Sequence, residues 1–163
     1  MSVNKYLPHL LVIPEDEANR QIMTGFLGHL DVDSRQVQVE AVAGGWTDTI
    51  DKFKEEHASR MVGIPQRHFL LIIDFDGQGQ KRFERARMGI PDSARDRVFV
   101  LGVSTEPEEL RRAHGKSLES LGDELANACV GGGDGNLWDT ELLEHNAAEL
   151  ACMKEKICKH LQA

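Results

Sequence analysis

Residues 68–83 read HFLLIIDFDGQGQKRF. The apolar run Phe69–Ile73 is unbroken, which is the pattern of a strand covered on both faces rather than one with a wet side. It ends in two aspartates, Asp74 and Asp76, separated by one residue. Gly77 and Gly79 then let the chain turn tightly, and Lys81, Arg82 and Arg85 follow. A strand buried on both faces belongs in a parallel sheet with helices above and below.

Working outward, three more segments have the same character. HLLVI at 9–13 is stopped by Pro14, QVQVEAV at 36–42 is rich in β-branched residues, and RVFVLGVS occupies 97–104. Between them the apolar period changes to that of helices. Ile22, Met23, Phe26, Leu27 and Leu30 recur at helical spacing behind Asp16, a good N-cap. A second helix starts near Thr47 or Asp48 and runs to about residue 58. A third covers 80–88 and stops at Gly89 and Pro91. After the fourth strand, Thr105 and Pro107 open a helix that Gly115 closes, and Ser117 opens another. A long final helix is expected from Asp139 to about Leu161, with Leu143, Ala147, Leu150, Ile157 and Leu161 on one stripe. Four strand–helix alternations predict an α/β fold: a mostly parallel four-stranded sheet with helices on both faces, and right-handed crossovers. The 163 residues make one domain. Residues 9–104 form its α/β core and 105–163 a helical C-terminal extension.

The composition is that of an ordinary globular chain, and no apolar run approaches the roughly 18 residues needed to span a bilayer. The N-terminus lacks the features of a signal peptide, so the expected compartment is the cytoplasm, with no membrane partner. Cys129, Cys152 and Cys158 are odd in number and contain no CxxC pair, so they read as small buried hydrophobes rather than as a disulfide framework or zinc site. A net charge of −8 is not that of a general nucleic-acid binder. Its distribution is uneven: residues 1–77 carry net −5, 78–116 net +3 and 117–163 net −6. The only basic segment begins directly after the aspartate pair.

In open α/β sheets, ligands bind beyond the carboxyl ends of the strands. The first strand delivers Glu15, Asp16 and Glu17 there, the third Asp74 and Asp76, and the fourth Ser104 and Thr105. Two unit charges ~4 Å apart repel by roughly 4 kcal/mol at an effective dielectric of 20. Such a cluster persists when a proton is shared or a cation sits among the oxygens. Hard oxygen ligands without His or Cys suit Mg²⁺ or Mn²⁺, which commonly serve phosphate chemistry. The bland alternative is an acidic rim whose residues cap helices. Lys81, Arg82 and Ser104 are the candidate phosphate contacts.

Glu15 after the first strand and DFDG at 74–77 after the third resemble the Toprim domain of topoisomerases, primases and overcoming-lysogenization-defect nucleases. That resemblance covers residues 9 to about 104. It implies that Glu15, Asp74 and Asp76 gather Mg²⁺, with Glu17 a rival for Glu15, and that Glu15 is a ligand or general base. It implies a nuclease-like phosphotransfer protein acting on nucleic acid, for which the acidic chain would need a partner protein. The sequence departs from the pattern at Asp16, where the family has glycine, and at Gln78, where many members have a third acid. The one tyrosine, Tyr6, precedes the first strand, which argues against a topoisomerase.

LLVIPEDEANRQIMTGFL at 10–27 also resembles the start of a response-regulator receiver domain, in which an acidic pair follows the first strand. That resemblance implies a non-catalytic signalling module in which Asp74 accepts a phosphoryl group and Ser104 or Thr105 supplies a switch hydroxyl. The lysine such a domain needs after a fifth strand is missing, since Lys116 lies in helical sequence, and Asp76 has no receiver role.

Other motifs lead nowhere. GKS at 115–117 lacks the upstream glycine of a phosphate loop, with Leu110 in its place. GGGDG at 131–135 reads as a connecting loop, and Trp138 as the packing anchor of the final helix. His145 between Glu141 and Glu149 reads as solvated pairing.

Overall fold

A computed structural model describes residues 3–131 and 137–163. The GGGDG loop lies almost wholly outside the described residues. The sheet has four parallel strands, β1 (His9–Pro14), β2 (Val37–Val39), β3 (Arg67–Ile72) and β4 (Val98–Leu101), in the order β2-β1-β3-β4. The predicted α/β class is therefore the one found. The chain winds from β1 outward in both directions, and the site discussed below lies where the direction reverses.

The helices are α1 (Glu17–Leu27), α2 (Trp46–Lys52), α3 (Gly79–Met88), α4 (Pro107–His114), α5 (Leu118–Ala126) and α6 (Ala147–Lys156). Alternation along each strand divides the core in two. Leu10, Val12, Leu70, Ile72, Phe99 and Leu101 face α1, α4, α5 and the C-terminal segment. Leu11, Ile13, Phe69, Leu71, Val98 and Val100 face α2, α3 and the turns between them. β1, β3 and β4 are apolar on both faces because both are covered.

Three expectations change. β2 is only three residues long. The long final helix is broken: Glu144–Asn146 is a 3₁₀ turn and α6 begins at Ala147. Leu143, Leu150, Ile157 and Leu161 still reach the core and Trp138 is buried there too, whereas Ala147, expected on the same stripe, is exposed. Cys129 and Cys158 are joined in a disulfide, which corrects their reading as unpaired hydrophobes, while Cys152 is free and exposed. Spacing could not show this, because the two thiols meet only once the C-terminal turn folds back under α5. Among the described residues, no helix is long and apolar enough to cross a membrane.

Candidate metal centre

β1 and β3 are adjacent and in register, with Pro14 opposite Ile72, so the residues after each strand emerge side by side. Glu15 continues the pairing. Its backbone N–H donates to Ile72 O (2.9 Å) and its Oε2 accepts the Asp74 N–H (2.6 Å). Asp16 is the N-cap of α1, and its Oδ1 accepts the Asn19 N–H at 3.0 Å. Asp74 is the second residue past β3. Ligand oxygens of Glu15, Asp16 and Asp74 lie within 4.8 Å of one another.

Asn19 ties this group together. Its Nδ2 donates to Asp16 Oδ1 (2.9 Å) and to Asp74 Oδ1 (2.8 Å), and the residue is fully buried. One amide thus supplies a hydrogen to each of two like-charged groups from different elements. Burial, opposed by the Asn19 hydrogen bond and reinforced by the Glu15 and Asp16 charges, pushes the Asp74 carboxyl up to about 7. Burial raises Glu15 as well, against the Asp74 N–H bond that favours its ionised form. A protonated carboxyl is one answer to the repulsion, and a divalent cation among the oxygens is the other.

Of the other predicted residues, Arg82 lies beside this group, and Asp76, Glu17 and Lys81 do not join it. Asp76 stands outside it. The chain leaves the strand direction after buried Phe75, and Asp76 has φ +50°, the left-handed region in which Asp is tolerated better than most residues. Its side chain is 73% exposed and lies 3.8 Å from Arg82 Nη2, although its charge still reaches Glu15. Glu17 points to solvent and pairs with Arg20, so it is not the rival that the sequence left open. Lys81 is exposed. Arg82 is close: Nη1 donates to Asp74 O (2.8 Å), and the guanidinium lies over Trp46 at 4.6 Å. Trp46 opens α2 behind a loop that Gly44 N–H fastens to Glu15 O at 2.8 Å.

β4 closes the other side. Asp76 N–H donates to Thr105 O (3.1 Å) and Gly77 N–H to Ser104 O (2.8 Å). The Thr105 hydroxyl and Arg82 Nε are buried without a hydrogen-bond partner. Lys116 is far from this arrangement in role, being paired with Glu124 on the surface.

The donor set is three carboxylates with no nitrogen or sulfur, a set that could hold a metal ion. Sequence reasoning missed Asp16 as a candidate ligand in the Toprim reading, and missed Asn19 altogether. No family model, no curated protein and no solved structure matches the chain.

Proposed function

We propose that the protein is a divalent-cation-dependent, receiver-like signalling module in which Asp74 accepts a phosphoryl group. The observation that carries this reading is the membership of the cluster. Glu15, Asp16 and Asp74 converge and Asp76 does not, which is the set implied by the receiver resemblance. The unpartnered Thr105 hydroxyl at the end of β4 adds support, since such a hydroxyl follows the fourth strand there.

A Mg²⁺ ion held by Glu15, Asp16 and Asp74 would neutralise charge on the incoming phosphoryl group. Asn19 keeps the Asp16 and Asp74 carboxylates in fixed orientation and leaves the other oxygen of each free of its amide. One Asp74 oxygen attacks phosphorus, an acyl phosphate forms and the donor's leaving group departs with its electron pair. Arg82, held against Trp46 and the Asp74 carbonyl, is a cation beside the new charge. It takes the place of the missing lysine.

The Toprim-like reading, a nuclease acting on nucleic acid, draws on one observation. Asp76 is near enough to Glu15 for its charge to be felt, so a turn of its exposed side chain would enlarge the ligand set.

Two substitutions separate these readings. Wild type, Asp74→Asn and Asp76→Asn are incubated with acetyl phosphate and Mg²⁺, and the intact mass is measured. A phosphoryl adduct on wild type and Asp76→Asn but not on Asp74→Asn is expected. Absence of any adduct, together with Mn²⁺-dependent cleavage of single-stranded DNA that both substitutions abolish, would transfer the proposal to the nuclease reading.

A further inference from the structure

The segment 142–149 covers the side of β4 that no strand pairs with. Ile73 N–H donates to Leu101 O and Phe75 N–H to Val103 O, both at 3.0 Å, so the backbone groups of Val100 and Gly102 face away from β3. Asn146 engages both Gly102 groups: its Oδ1 accepts the N–H (3.1 Å) and its Nδ2 donates to the carbonyl (2.9 Å). Glu149 Oε2 accepts the Val100 N–H at 2.8 Å and lies 3.3 Å from Arg87 Nη1. The cover is incomplete. A cavity of about 200 Å³ remains between it and α3, walled by Phe83, Val100, His145, Ala148 and Glu149.

The polar groups left over in this lining are acceptors. Val100 O faces the same way as its N–H, and no donor among the described residues reaches it. Glu149 Oε1 is unengaged among the described residues, since both contacts of that carboxylate are made by Oε2. His145 lies edge-on to Phe75 at 4.8 Å and engages the Gly102 backbone through its ring. Partial burial holds its pKa below the ordinary value, so at pH 8 the ring is neutral and its other nitrogen accepts. The two amide side chains of the lining direct N–H groups elsewhere. Gln80 Nε2 donates to Glu84 Oε1 (3.2 Å), and Asn146 Nδ2 to Gly102 O and Leu143 O. Of the charged groups acting on the lining, Glu84, Glu144 and Glu149 are negative and Arg87 and Lys156 positive, an excess of one negative charge.

We propose that this cavity binds a small primary alkylammonium ion. An –NH₃⁺ group has three donors and no acceptor. The cavity offers three acceptors, Val100 O, Glu149 Oε1 and His145, in surroundings with an excess of negative charge. Its volume admits roughly six heavy atoms, taking ~30 Å³ for each. Phe83 and Ala148 supply an apolar wall for a short carbon chain. The site shares no residue with the Glu15, Asp16 and Asp74 group and does not rest on the cation reading.

The full chain is titrated with n-butylammonium chloride at pH 8 and constant ionic strength, and backbone amide NMR shifts are followed. Saturable shifts at Gln80, Val100, Gly102 and Ala148 are expected, with none at Asp16 or Asp74. Tetramethylammonium has the same charge without an N–H, and 1-butanol has the same chain without the charge. Neither is expected to saturate the site in the same concentration range. Glu149→Gln is expected to raise the dissociation constant at least tenfold. Ala148→Leu, at an exposed helical position on the wall, is expected to abolish the shifts with the fold intact, and it decides the matter if Glu149→Gln does not fold. Absence of a saturable shift at these amides overturns the proposal, as do shifts at Asp16 and Asp74 in their place. Equal binding of tetramethylammonium or 1-butanol, or an affinity unchanged in either variant, overturns it as well.

Discussion

At the scale of single residues, the balance between proton and cation at Asp74 controls the site. A carboxyl whose folded pKa is raised favours folding fully below its ordinary value. It loses that contribution as pH rises through the folded value, here about 7. Glu15 is shifted in the same direction. Without divalent ions, the stability of wild type relative to Asp74→Asn is therefore expected to fall as pH is raised from 5 to 8, and saturating Mg²⁺ should remove the trend. Urea unfolding at each pH reads this directly; a trend in the opposite direction would refute it. The same proton competes with the ion. With one carboxyl near 7, lowering pH from 8 to 6 should weaken Mg²⁺ binding by about tenfold, followed by Trp46 fluorescence or calorimetry. Asn19→Ala removes two hydrogen bonds to carboxylates and should cost about 1–3 kcal/mol while weakening the ion further. The sequence showed Glu15 and Asp74 because each ends an apolar run. It hid Asn19, which reads as an ordinary first-turn residue until β3 brings Asp74 beside it. It misplaced Asp76, because two-residue alternation holds only while the strand continues, and β3 ends at Ile72.

At the scale of elements, the closest helix contact explains a residue that is locally unfavourable. Gly122 lies inside α5, where glycine costs roughly 1 kcal/mol relative to alanine. A Cβ there would stand 1.6 Å from Ile22 O on α1, and one at Gly25 would stand 1.8 Å from Glu119 O. The two helices touch backbone to backbone through reciprocal glycines. Gly122→Ala should therefore destabilise by about 1–3 kcal/mol through overpacking, despite its better helix propensity. A urea midpoint unchanged from wild type would show that α1 and α5 can separate without loss. Strand and helix existence was legible throughout, since apolar period is a property of short windows. The break in the last helix was not, because it exists to carry Asn146 and Glu149 to the β4 edge, a demand made by tertiary structure alone.

At the scale of the whole molecule, the C-terminus is fastened across the α1 side of the sheet. Leu161 O accepts the Asp33 N–H (2.8 Å), Ala163 N–H donates to Asp31 O (2.9 Å), and the Cys129–Cys158 disulfide lies just inside these contacts. The bridge spans a sequence separation of 29, so the loop it closes includes the segment that covers β4. Closing a loop of that size restricts the unfolded chain by about 3–4 kcal/mol in the chain-entropy account. For a domain of this length each kcal/mol moves Tm by ~2–4 °C, so full reduction should lower Tm by roughly 10 °C. Cys158→Ser should match reduced wild type and be indifferent to added dithiol. Cys152→Ser, which removes the exposed free thiol, should leave both Tm and the reduction response unchanged. The core on that side retains Leu143, Leu150, Met153, Ile157 and Leu161 after reduction, so the reduced chain is expected to unfold in a single transition at the lower temperature. A wild-type Tm that does not respond to dithiol, in a sample whose thiol count confirms reduction, would mean that these buried contacts hold the C-terminal segment without the bridge.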